Sequence, residues 1–258
     1  MEIFILILII LAFATIVAAT LGFGDSLIFI AITALFINIL LAIVLISFWS
    51  FWISVFNAIK YREYIDKVFV KKNVPPGIIG AIVGSLLITI APLKWIELFL
   101  GFFILIYTIF KSLEIKKENR LKSETTNEFE RNFKDISDPI FYLGSFSYGF
   151  FGGLIGASGP INVILLERKG HQKESFIVNF AICSVIISSF KLGIYLGSGL
   201  FPVAFLAVYL AGFVVIVLSM KLGHAITPKI SKEKFQFSIL MLLLIIGIRM
   251  IVNSLFYY

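Results

Sequence analysis

Asp25 and Ser26 close the stretch Gly22-Phe23-Gly24-Asp25-Ser26, and Ser158 stands between Gly156 and Gly159 in the stretch Gly149 to Pro160. A carboxylate and two hydroxyls set among glycines make a small-anion site if they stand at broken helix ends. Free backbone N–H groups and the positive end of a helix dipole favour negative charge there. Ser26 and Ser158 would add hydroxyl donors. Asp25 is suited to proton coupling, because a charged carboxylate repels an anion and a protonated one lets it pass. Two other roles stay open for it, a helix N-cap and a partner for Lys191 or Arg249, the two cations inside apolar sequence. Lys191 is near enough to the end of its run to snorkel to an interface. The Arg249 fork suits bidentate binding of a sulfonate or carboxylate. Asn162 and Asn179, with Ser47, Ser50, Asn57, Ser184, Ser188 and Ser189, are candidates to line a path; bonding between helices explains each equally well. For the glycines the plain alternative is close helix packing.

Composition decides the medium. The chain is 60% hydrophobic and 14% charged, against roughly a quarter charged in soluble domains, and its mean hydropathy is +1.03. The expected class is an all-α polytopic membrane protein, since the apolar runs suit helices of about 20 residues and the short alternating segments of a barrel are absent. The net charge of +7 reports orientation beside membrane spans rather than nucleic-acid binding. Cys183 is the single cysteine, which excludes a disulfide within the chain and suggests a small buried residue. No His/Cys pair has ligand spacing and no glycine-rich nucleotide loop follows a strand, so neither metal, cofactor nor ATP hydrolysis is expected. The first 20 residues carry Glu2 and no basic leader, and are expected to be a retained membrane segment.

Apolar segments are predicted over Ile3–Thr20, Leu27–Phe36, Asn38–Ala58, Gly77–Ile90, Trp95–Phe110, Phe141–Ile155, Ile161–Leu166, Phe176–Leu196, Phe201–Lys221 and Phe235–Phe256. Glycine costs roughly 1 kcal/mol relative to alanine in a helix, and Pro160 lacks a donor, so Gly156 to Pro160 reads as a backbone break. Gly22 and Gly156 lie 134 residues apart and Pro92 and Pro228 lie 136 apart. These offsets predict a duplicated unit of about four apolar segments: a first membrane half over 1–113, a charged linker over 114–138 and a second half over 139–258.

Charge selects a topology. Of the 22 Lys and Arg residues, 19 fall in four loops, Lys60–Lys72, Lys111–Lys134, Arg168–Lys173 and Lys221–Lys234. If eight segments cross the membrane these loops divide between both sides. If each glycine break is instead the tip of a re-entrant hairpin, six crossings remain and all four loops share one side with Lys94 opposite, as the positive-inside rule prefers. The halves are then inverted repeats, an arrangement of secondary transporters, with basic loops cytoplasmic and both termini outside. A return leg of Ile161–Leu166 spans only about 9 Å, which leaves a kinked full span open for the second half.

The stretches GFGDSLIF (Gly22–Phe29), AIKYREYID (Ala58–Asp66), VPPGIIGAIVGSLL (Val74–Leu87) and GGLIGASGPINV (Gly152–Val163), with the unit after Pro228, resemble the TauE/SafE sulfite exporter family over nearly all of the chain. Where that family usually has a run of glycines, Asp25-Ser26 and Ser158-Gly159-Pro160 stand here. The resemblance implies a permease for small sulfur-containing or carboxylate anions. The reading is a secondary anion transporter and not an enzyme. Its candidate substrate-binding residues are Gly22, Gly24, Asp25, Ser26, Gly156, Ser158, Gly159, Asn162, Asn179, Lys191 and Arg249. Its expected partners are a small anion, the bilayer and coupling protons, with a homodimer left open. The rivals are an anion channel, which keeps the breaks without proton coupling, and a membrane scaffold, which leaves Asp25 and the breaks without a reason. An intramembrane serine protease using Ser158 is a further rival; it needs a general base, and His171 and His224 both fall in basic loops.

Overall fold

A computed structural model describes residues 2–21, 24–124, 136–226 and 232–256. Its helices are α1 (Glu2–Leu21), α2 (Asp25–Thr33), α3 (Ile39–Lys60), α4 (Lys67–Ile90), α5 (Leu93–Glu124), α6 (Asp138–Ile155), α7 (Gly159–Arg168), α8 (Lys173–Gly197), α9 (Leu206–Ile226) and α10 (Lys232–Phe256). Seven of them, α1, α3, α4, α5, α8, α9 and α10, are long and apolar enough to cross a membrane. The protein is therefore a helical, multi-pass membrane protein. Each half runs in the same order, with a helix, a short helix after a glycine break, then three long helices.

Two helices are longer than their apolar cores predict. α4 begins ten residues before Gly77 and carries Pro75 and Pro76 inside it. Asp66 caps it by accepting from the Val68 and Phe69 N–H groups. The carbonyls that the two prolines leave without donors are those of Lys71 and Lys72, in the charged end of the helix where water can satisfy them. α5 runs through the expected linker as far as Glu124, because Leu113 to Glu124 is rich in Leu, Lys, Arg and Glu, all good helix formers.

Glycine decides the packing. α4 and α6 lie so close that a Cβ on Gly80 would overlap the Phe146 carbonyl, one on Gly84 the Phe150 carbonyl, and one on Gly149 the Gly77 carbonyl. Contacts advance together along both helices, so the pair is parallel, and Lys72 and Asp138 join its charged ends at 3.2 Å. α1 and α9 pack in the matching way, with Gly223 against Ala19 and Ile16. α5 and α10 cross at Gly101 and Gly247, and α3 packs on α8. Renumbering each helix by five exchanges α4–α6 with α9–α1 and leaves α3–α8 and α5–α10 unchanged.

α6 and α7 fold back on one another. Leu165 of α7 lies where a Cβ on Gly144 of α6 would meet it at 2.8 Å. Lys169, just past α7, donates to the Ile136 carbonyl just before α6 at 3.3 Å. The chain therefore returns to the end of the bundle from which it set out. α7 has ten residues, about 15 Å, longer than the return leg that the apolar run alone predicts.

Replacing Gly80 by leucine should destabilise the fold by about 3 kcal/mol or more, since backbone cannot yield to the new side chain. Gly193→Ala, where a Cβ meets nothing within 4 Å, should be neutral or stabilising by up to about 1 kcal/mol. Thermal unfolding of the detergent-solubilised protein measures both.

Candidate functional site

Each short helix follows a glycine in the left-handed region, Gly24 at φ +101° before α2 and Gly156 at φ +69° after α6. A side chain at either is strained. Gly156 is also wedged against Ile30 of α2 and Ile43 of α3, so one half's break is covered by the other half. The N-termini of α2 and α7 both border one internal cavity of about 110 Å³, room for several waters or a small anion.

Its lining is mostly apolar or glycine, with polar groups among it. Asp25 is the first residue of α2, with Gly24 in the N-cap position, so the carboxylate is not the cap but lies in the first turn, where the dipole favours it. It accepts a short hydrogen bond from the Ser50 hydroxyl. Ser50 Oγ is 2.9 Å from Ser26 Oγ, and Ser54 donates to Ser184 Oγ at 3.1 Å. Ser158 is buried, 7% exposed, and its hydroxyl lies over Gly152 rather than capping α7. Lys191 does not snorkel: it is 7% exposed and lines the cavity. Asp25 and Lys191 are the charged groups among the described lining residues, and their charges act on one another across the space.

The cavity is asymmetric. Along α3 its lining runs from Ser50 to Tyr61, and along α8 from Lys191 to Ile177, toward the end that carries Lys60 and Lys173. The other end is packed with aromatics. Phe29 meets Trp49 edge-on at 5.6 Å, Phe48 meets Tyr209 edge-on and Phe201 lies tilted against it, and the Trp49 indole N–H donates to the Tyr209 carbonyl at 3.2 Å.

Of the candidate residues, the structure brings Gly24, Asp25, Ser26, Gly156, Ser158, Gly159 and Lys191 to this cavity, with Ser50, Asn57, Ser184 and Ser188. Gly22 lies outside the described residues. Three candidates stand elsewhere. Arg249 is exposed on α10, because Leu243, Ile246, Met250 and Ser254 form the stripe that this helix buries. Asn162 is fully buried and accepts from Asn73 of α4 at 3.3 Å. Asn179 accepts from the Asp66 N–H at 2.8 Å and donates to the Tyr64 carbonyl, fastening α8 to the loop before α4. Ser47 bonds the Ile43 carbonyl and Ser189 the Val185 carbonyl.

Thr15, Ser54 and Tyr148 also line the cavity and were not singled out by sequence. Thr15 is the informative one. It is 1% exposed and its hydroxyl has no hydrogen-bond partner among the described residues. The available signal was a hydroxyl with apolar residues for three positions on either side in an apolar span.

No histidine is among the described lining residues. His171 sits in the loop before α8, 3.5 Å from Asp66 and 2.9 Å from Ser175 Oγ. Burial pushes its pKa below the usual 6.5, against the opposing pull of Asp66.

These features define a polytopic membrane protein whose broken helices border a cavity carrying charged and hydroxyl groups, an arrangement found in membrane transporters. The chain belongs to the sulfite exporter TauE/SafE family, whose model matches residues 6–250. That family is one of membrane exporters for sulfite and related sulfur anions. Among curated proteins and solved structures, none matches the chain.

Because His171 has a lowered folded pKa, its contribution to stability is complete above the usual histidine range and is lost as pH falls through it. The melting temperature of the solubilised protein should drop on mild acidification, and His171→Asn should flatten that drop. In a Cys183→Ala background, Asn57→Cys and Ser188→Cys should react readily with a small thiol reagent, whereas Ile46→Cys, at a position 0% exposed, should stay inert; mass spectrometry of the labelled chain reads the difference.

Proposed function

We propose that this protein is a proton-coupled secondary transporter of a small sulfur-containing or carboxylate anion, and not an enzyme. The observation that carries the reading is the convergence of the α2 and α7 N-termini on one cavity that also holds Asp25 and Lys191. Two dipole ends and several hydroxyls can replace the hydration shell of an anion. Gly24, Asp25 and Ser26 form one half of the cradle, and Gly156, Ser158 and Gly159 the other. Neutralising Asp25 removes the repulsion that would otherwise bar the substrate.

In this reading residues 1–113 and 139–258 are inverted repeats joined by the cytoplasmic segment 114–138. The exchange of helix pairs between halves supports it, as does the return of α7 to the starting end of α6. The glycine breaks are then tips of re-entrant hairpins. The basic loops face the cytoplasm, the termini lie outside, and the cavity, which extends toward the basic loops, faces the cytoplasm. Alternating exposure opens the end closed by the aromatics around Trp49 and closes the end toward the basic loops.

Purified protein in proteoliposomes should take up a labelled small anion such as sulfite, and a pH gradient should accelerate the uptake. Asp25→Asn should lose the acceleration. Absence of flux for every small anion tried would overturn the transporter reading, and flux indifferent to the gradient in wild type would replace it with a channel.

A further inference from the structure

Resting on the transporter reading, we infer that the cavity binds one singly charged oxyanion on the Lys191 ammonium and the Thr15 hydroxyl, and only while Asp25 carries a proton. Lys191 and Thr15 are both more than nine-tenths buried and both line the cavity, and the Thr15 hydroxyl has no hydrogen-bond partner among the described residues. A buried donor left unbonded is costly, and Thr15 lines the same space from α1 that Lys191 lines from α8. Ser26 and Ser50 already bond each other, Ser50 donates to Asp25, and Ser54 donates to Ser184.

Charge counting sets the valence. Empty, the cavity holds Asp25 negative and Lys191 positive, and its sum is zero. An anion added to that pair leaves an uncompensated charge in a space of low dielectric, which is strongly disfavoured. Protonating Asp25 removes it, so a monoanion beside Lys191 restores the zero sum. A dianion leaves one negative charge even then. The other titratable side chains among the described lining residues are the phenols of Tyr61 and Tyr148, and phenols are neutral in this range. The loaded cavity thus carries one anion and one proton and the empty one carries neither, so transport is electroneutral and dianions are rejected.

The test uses the full-length protein and four probes: formate and hydrogen sulfite as monoanions, sulfate and thiosulfate as dianions. Formate keeps its single charge through neutral pH, so pH dependence of its binding reports the protein. Calorimetry should show the monoanions binding more tightly as pH falls, and the dianions at least about tenfold more weakly. Thr15→Val should weaken formate by roughly twofold to tenfold, Lys191→Met should abolish its binding, and Lys191→Arg should retain it. Asp25→Asn should bind formate with an affinity that no longer varies with pH. Uptake into proteoliposomes on a solid-supported membrane should generate no current. Dianions binding as well as monoanions, a current accompanying uptake, or unchanged binding in Thr15→Val and Lys191→Met would each overturn this inference while leaving the transporter reading in place. A protein that neither binds nor moves any of the four probes removes both.

Discussion

A backbone N–H or carbonyl left unbonded in hydrocarbon costs several kcal/mol, so a helix can break at membrane depth only where other protein or a water-filled cavity receives its freed groups. This chain breaks twice, before Asp25 and between Ile155 and Gly159, and much of the architecture provides for those breaks. The glycines of α4 and α6 let two backbones touch, which brings the second break deep among its neighbours. Ile30 and Ile43 from the other half close over Gly156. What is not filled by side chains becomes the cavity, and the helix ends that border it are the ends whose donors have no helical partner.

The charged groups follow the same logic. A lysine and an aspartate taken out of water without direct contact are expensive, and such groups in membrane spans are kept where they serve a function. Lys191 is held by α8 against α3, with its ammonium turned to the cavity and not to the interface. Asp25 is set by the first turn of α2 and by the Ser50 hydroxyl from the next helix. Arg249 shows the contrast: it carries the same charge as Lys191 but lies on the unburied stripe of α10, where its long side chain can reach the interface.

Polar residues that bond across helices have a separate role. Asn179 ties α8 to the loop before α4, and Asn73 joins Ser145 and Asn162 partway along the α6–α7 pair. His171 against Asp66 closes the same end as Asn179. Those two make that end of the bundle a fastened base from which the two legs of the hairpin rise. Interhelical bonds of this kind contribute modestly each in a membrane, but here several converge on one hairpin.

The sequence by itself determined the membrane class, the helices and both breaks, because hydropathy and the backbone limits of glycine and proline act within a few residues of chain. It also singled out Asp25, Ser158 and Lys191, since polar groups in apolar runs are conspicuous wherever they point. It did not determine which of those groups meet. Rotation of a helix about its axis is fixed by packing against its neighbours, so the tertiary structure alone turned Lys191 and Thr15 inward and Arg249 outward. Asn162 and Asn179 likewise became fastenings only through partners 89 and 113 residues away. The length of α4 and α7 was also a tertiary matter, because capping by Asp66 and burial against α6 extend helices past the apolar cores that announce them.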